Sequence, residues 1–188
     1  MRLTLRRPSN GNGASKQERS RWLRDESFSK AWRYRSAFAA TMCADSRSVC
    51  DIGCGMQSLR AYLAPGVEYL PVDLVKRTED TEVCDLNRKQ LPPTYLSRAD
   101  TVTLLGVIEY LDDVPWAFHS LSPHVHKIVV SYVPIDFAKE NRRRQGWVND
   151  FCVGDIVEML HAVDFIVRDI RLCDPVQVLF LAKSRQTA

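Results

Sequence analysis

Apolar residues change their spacing several times along the chain, and each change marks an element. From Glu18 to Cys43, Trp22, Leu23, Phe28, Ala31, Trp32, Tyr34, Ala37, Phe38, Ala39 and Met42 recur near a helical period, with a break around residues 25–27. Beyond that, short apolar runs alternate with amphipathic stretches. SVCDI (48–52), VEYLPVD (67–73), TEVCDL (81–86), TVTLLGVI (101–108) and HKIVVSYV (126–133) read as strands, and residues 57–64 read as a helix stopped by Pro65 and Gly66. Asp112 or Asp113 caps a helix expected to reach about Leu121, with Pro115 tolerated in its first turn. A further helix opens at Gly154 or Asp155 and runs to about Ala162. NRKQLPPTYLSRAD (87–100) holds Pro92 and Pro93 and is too rich in turn residues for a long helix.

The last two runs, DFIVRDIRL (164–172) and VQVLFLAKS (176–184), are separated only by Cys173, Asp174 and Pro175. So short a gap holds no crossover helix, so these strands are expected to be antiparallel neighbours. Strand and helix alternate before them, which predicts an α/β fold around a mostly parallel sheet covered on both faces.

Composition narrows the class. The 188 residues suit one domain, with 45% hydrophobic and 26% charged residues and a net charge of +3. The expected organisation is a disordered basic N-terminus over residues 1–17, then a single domain over 18–188 that begins with a helix. No apolar run approaches the ~18 residues that would span a bilayer. The basic N-terminus lacks the apolar stretch of a secretory signal, so the expected location is cytoplasmic. Six scattered cysteines form no C-x-x-C pair, which argues for free thiols and against a metal site or a disulfide framework. Basic residues crowd the first 24 positions and again Lys139 and Arg142 to Arg144, without the interleaved aromatics of a nucleic-acid platform.

The chemistry gathers at VCDIGCGMQSL (49–59). Gly53 and Gly55 let backbone approach a ligand at a strand end. A dinucleotide-binding turn would carry a third glycine at position 58, where Ser58 stands, and no acid at the strand end, where Asp51 stands. A carboxylate there repels a pyrophosphate and suits a cation. Asp73 closes the second strand, where a carboxylate accepts ribose hydroxyls, and Asp85 closes the third, within reach of an adenine edge. Acids at three successive strand ends describe a ligand with ribose, adenine and positive charge but no phosphate, as S-adenosylmethionine is.

At these residues the sequence resembles the class I S-adenosylmethionine-dependent methyltransferases, in their small, type 11/12 form. The likeness runs from about Ser48 to Ser184 and rests on VCDIGCGMQ, YLPVDL, EVCDLN and LLGVIEYLDD. It implies a doubly wound, Rossmann-like seven-stranded sheet of order 3-2-1-4-5-7-6 with an antiparallel last strand. It also implies S-adenosylmethionine as cofactor, held by Asp51, Gly53, Gly55, Asp73, Leu74, Asp85, Leu86 and Gly106. Gln57 stands where the family often has its last glycine, and Tyr110 where it often has a histidine.

Methyl transfer depends mostly on holding acceptor and methyl in line, with a base for a hydroxyl acceptor. Glu109, Tyr110 and Tyr132 are the candidate catalytic groups, after the fourth and fifth strands. Alternative roles are a helix-start acid for Glu109 and a core aromatic for Tyr132. His119, His124, His126 and His161 fall away from the expected site. The segment after the fifth strand, KENRRRQGWVND (139–150), brings Trp147 and Asn149 to the acceptor side, and its arginines to an anionic acceptor or merely to solvent. The expected reaction is methyl transfer to oxygen or nitrogen of a small molecule or glycan, with a second copy of the chain as a further candidate partner. A catalytically silent binding protein of the same fold, acting through a partner, is the alternative. A nicotinamide oxidoreductase is disfavoured by Asp51 and Ser58.

Overall fold

The structure, a computed structural model, describes residues 32–138 and 141–185. The basic N-terminus, the first part of the helical stretch expected from Glu18 to Cys43, and Lys139 lie outside the described residues. Seven strands form one sheet: β1 (Ser48–Ile52), β2 (Glu68–Asp73), β3 (Glu82–Val83), β4 (Thr101–Leu105), β5 (Lys127–Tyr132), β6 (Phe165–Leu172) and β7 (Val178–Ser184). Their order is β3-β2-β1-β4-β5-β7-β6. The pairs from β3 to β5 are parallel, while β7 runs antiparallel to both β5 and β6. This is the sheet the resemblance implies.

Alternate residues serve two cores, as the pleat requires. Val49, Leu105, Val129 and Leu179 face α1 (Trp32–Met42), which buries Ala39, Ala40 and Met42 against them. Cys50, Ile52, Leu70, Val72, Val102, Leu104, Ile128, Val130 and Phe180 point the other way, into a larger core. α3 (Val114–Leu121) closes that core with Phe118 and Leu121, and α4 (Val153–His161) with Ile156 and Leu160. α2 (Pro93–Leu96) is a single turn, in keeping with its prolines. Asp113 caps α3 by accepting from Trp116 N at 2.9 Å, and Pro115 sits in the first turn.

The expected helix over 57–64 is replaced by a 3-10 turn, Ser58–Tyr62. Gln57 before it is left-handed (φ 55), and only Leu59 of the turn is buried. With Pro65 following so closely, too few turns remain to offset helix nucleation. β4 also ends sooner than expected, because Gly106 leaves the strand at φ 71.

At the amino-terminal edge of the sheet the charges are tied together. Buried Lys127 donates from Nζ to Asp45 and, at 3.0 Å, to Ser46 Oγ; Lys183 Nζ donates to the other oxygen of Asp45 at 2.9 Å. Asp100 accepts from Arg47 N at 2.8 Å. The opposite edge is built differently.

Candidate active site

β1 runs out into a turn clamped against the end of β2. Gly53 N and Cys54 N both donate to Val72 O, at 2.8 and 3.0 Å. Gly53 holds φ 76, and a Cβ there would stand 2.4 Å from Val107 Cγ2, so both conformation and space require glycine. Gly55 N donates to Asp73 Oδ2 at 2.8 Å. The other oxygen of Asp73 accepts from Val75 N at 3.2 Å and pairs with Arg77 Nε at 3.7 Å. The glycine turn and the β2 acid thus form one unit.

Asp51 lies beneath this turn, and its two oxygens accept from Tyr69 OH at 2.6 Å and Thr103 Oγ1 at 2.5 Å. Burial raises its pKa, and the two hydroxyl bonds oppose that rise. The sequence suggests a carboxylate offered to a cationic ligand; the structure has one whose oxygens are both bonded within the fold. Asp85 Oδ1 accepts from Asn87 N at 3.0 Å and caps the turn Leu86–Arg88, with Arg88 Nε 3.5 Å from its other oxygen. Leu74 is exposed and Leu86 buried on the same side of the cleft. Gly106 backs onto the Arg35 guanidinium from α1: a Cβ there would meet Nη1 at 2.4 Å.

After β4 the chain makes a 3-10 turn, Ile108–Tyr110, that carries Glu109 into the cleft. Glu109 is fully buried, and its Oε2 has no hydrogen-bond partner among the described residues. Burial pushes its pKa up to about 7, against hydrogen bonds from the backbone of Glu109 and Val133 and the pull of Arg35 and Arg142. The turn is pinned from behind. Asn149 Nδ2 donates to Ile108 O at 2.6 Å and Leu111 O at 2.9 Å, and Val148 N donates to Glu109 O at 2.8 Å. Tyr110 is half-buried and accepts from Trp147 Nε1 at 3.1 Å through its hydroxyl.

Tyr132 is placed differently from the other two candidates. It is fully buried in the larger core, and its hydroxyl accepts from Arg142 Nη2 at 2.7 Å and Phe151 N at 3.1 Å. It does not line the cleft. Burial raises its pKa to about 12, which disfavours the phenolate further. Its placement matches the core aromatic considered from the sequence. Arg142 likewise turns inward, while Arg143 and Arg144 stay exposed. Arg142 donates to Val133 O, Ala138 O, Asn149 O and Tyr132 OH, and Arg143 pairs with Asp150 at 2.7 Å. These two hold the loop together rather than reaching toward an anionic acceptor.

A cleft of about 450 Å³ joins these parts at the carboxyl edge of the strands. Asp51, Gly53, Gly55, Asp73, Leu74, Asp85, Leu86, Gly106, Glu109 and Tyr110 all line it. So do Arg35, from the N-terminal helix, and several residues the sequence does not single out for binding: Arg77, and Asp174, Val176 and Gln177 from the β6–β7 turn. For Arg35 the available signal was its place on the N-terminal helix beside the sheet. The β6–β7 residues carried none, since only the sheet order brings that turn beside the end of β5. Among the described residues, no group of His, Cys, Asp or Glu is arranged to hold a metal ion, and no helix is long and apolar enough to cross a membrane.

Among solved structures, the chain is similar to the Burkholderia thailandensis 1,6-didemethyltoxoflavin-N1-methyltransferase, whose structure holds 1,6-didemethyltoxoflavin and S-adenosylhomocysteine. Identity is 16% and the TM-score 0.65, over 94% of this chain and 93% of that one. The fold is that of the class I methyltransferases. Magnesium protoporphyrin IX methyltransferase from Synechocystis PCC 6803, with bound S-adenosylmethionine, is similar over 90% of this chain and 92% of its own, at 17% identity and a TM-score of 0.60. Human N-acetylserotonin methyltransferase in complex with S-adenosylmethionine matches 90% of this chain at 15% identity and a TM-score of 0.64; the match spans 56% of the human chain. No protein-family model and no curated protein matches the sequence. The chain closes its parallel sheet with an antiparallel β7 between β5 and β6.

Proposed function

We propose that this methyltransferase-fold chain binds S-adenosylmethionine in the cleft and transfers its methyl group to oxygen or nitrogen of a small molecule or glycan. The observation that carries the reading is the unit formed by Gly53, Gly55 and Asp73, set beside Asp85 and Glu109 in one cleft. The residues fit the cofactor. Its volume lies within the range of about 300–1,000 Å³ usual for small-ligand sites. Asp73 keeps acceptor capacity beyond its bonds to Gly55 N and Val75 N, which suits ribose hydroxyls. Glycine at 53 and 106 lets Val107 and Arg35 pack close against the backbone that lines the cleft. Solved relatives of the fold that hold S-adenosylmethionine or S-adenosylhomocysteine support the same assignment.

Asp73 would hold the ribose, Asp85, Leu74 and Leu86 the adenine, and the glycine turn with Gly106 the methionine portion. When bound, S-adenosylmethionine supplies a sulfonium-activated methyl group with a good leaving group. What the protein adds is position: the pinned turn Ile108–Tyr110 fixes the wall against which an acceptor lies. Glu109, ionised above about pH 7, is the group there able to take a proton. Tyr110, with its hydroxyl engaged by Trp147, shapes the same wall.

Calorimetric titration with S-adenosylhomocysteine, NAD and NADP tests the reading. Binding of the first alone is expected; binding of a nicotinamide dinucleotide instead sinks it. Binding of S-adenosylhomocysteine without transfer from a labelled donor to any acceptor would favour the silent binding protein.

A further inference from the structure

We infer that the acceptor is an aromatic hydrogen-bond donor, a phenol or an amine, received by the Glu109 carboxylate, and not an anion. The inference rests on the cofactor reading above and deepens it to a class of acceptor. Its first support is Oε2 of Glu109, a buried carboxylate oxygen on the wall of the cleft without a hydrogen-bond partner among the described residues. In the ionised form an oxygen left so is costly unless something bound completes it, and what completes it must donate.

The groups around it agree. Asp51, Asp73, Asp85 and, from the β6–β7 turn, Asp174 line the same cleft, so its wall is rich in acids. Arg35 approaches from α1, Arg142 and Tyr132 stand behind the wall, and Tyr110 is the neighbour in sequence. Two arginines line the cleft as cations an anionic acceptor would need; Arg77 pairs with Asp73 at 3.7 Å, and Arg35 is the one beside Glu109. Its charge already stands against Glu109 and Asp51, so an incoming carboxylate would meet two buried acids along with it. Arg142 spends its donors on backbone carbonyls and Tyr132 OH, and Arg143 is paired with Asp150. The aromatic preference comes from Trp147 and Tyr110, both on the cleft wall. Trp147 is fixed by its bond to Tyr110 OH and by the Arg142 guanidinium 4.9 Å from its ring centroid.

The test uses the full chain and three matched probes: 6-hydroxyquinoline, 6-aminoquinoline and quinoline-6-carboxylate. Each is titrated calorimetrically at about pH 8, where Glu109 is ionised, with and without saturating S-adenosylhomocysteine. The hydroxyl and amine probes are expected to bind about tenfold or more tightly than the carboxylate. Glu109→Gln should bring the three to nearly equal affinity, and lowering the pH below about 6 should erode the preference in the unaltered chain. The pH series keeps the test decisive if the variant fails to fold. Equal or tighter binding of the carboxylate probe, or no binding of any probe, overturns the inference. The cofactor reading is judged separately, by S-adenosylhomocysteine alone, and the ranking of probes is read whether or not that ligand binds.

Discussion

At the amino-terminal edge of the strands, buried Lys127 donates to Asp45 and Ser46, and Asp45 also receives Lys183. At the carboxyl edge, buried Glu109 keeps an oxygen that no described residue bonds, and three glycines hold positive φ around the cleft: Gly53, Gly55 and Gly106. Both edges bury charge, yet among the described residues only one of them completes its hydrogen bonds. An ion whose partners the fold supplies contributes to stability alone, whereas an acid left with a free acceptor sets a demand that a ligand meets. The contrast separates residues that hold the sheet together from those that serve a site on it.

The variant expected to break this contrast most is Gly53→Ala. Its Cβ would enter a left-handed position 2.4 Å from the stiff Val107 side chain, so a loss of about 3 kcal/mol is expected in chemical denaturation. Gly66→Ala is its control: φ is 88 there, but nothing lies within 4 Å, so only the backbone cost of about 1 kcal/mol remains. Equal losses for the two would mean that the glycine turn is not packed as described. At the other edge, Asp45→Ala leaves the Lys127 ammonium buried with Ser46 alone, and roughly 2–3 kcal/mol of stability should go, with ligand affinity unchanged.

Glu109→Gln should act in the opposite direction. The folded chain holds this proton up to about pH 7, the unfolded chain only to about its ordinary value of 4.5. The native state therefore binds more protons between those values, and the group's contribution to stability falls as pH rises through that window. The variant is expected to be more stable than the unaltered chain by about 2 kcal/mol at pH 8, and by much less at pH 5, in thermal melts. A gain that does not depend on pH would show that Glu109 is not the titrating group. The smallest effect belongs to Tyr132→Phe: about 1 kcal/mol of stability, from Arg142 and Phe151 N losing their acceptor, with transfer from a labelled donor intact. Loss of transfer in a folded Tyr132→Phe would return that phenol to the site.

The sheet was legible because each strand is an apolar run too short for a helix, and because Cys173 to Pro175 leave no room for a crossover. The acids and glycines of the cleft were legible because strand ends fix where they fall. Other features depend on contacts that pattern does not carry. Residues 57–64 have a helical look, but Gln57 turns left-handed and only Leu59 finds a core. Arg142 sits in a run of charge that reads as solvated, yet its planar fork finds carbonyls on both sides of its own loop and is buried with them. Asp51 reads as a strand-end acid open to a cationic ligand because Tyr69 and Thr103, which bond it, come from the flanking strands β2 and β4. Asp174, Val176 and Gln177 reach the cleft only through the reversal of β7.

The most direct measurement is the affinity of S-adenosylhomocysteine for the unaltered chain, Asp73→Asn and Asp45→Ala, titrated side by side. The account predicts binding at one site, weakened about tenfold or more in Asp73→Asn by loss of a charged hydrogen bond, and unchanged in Asp45→Ala. No binding to the unaltered chain, or the same affinity in Asp73→Asn, would contradict it.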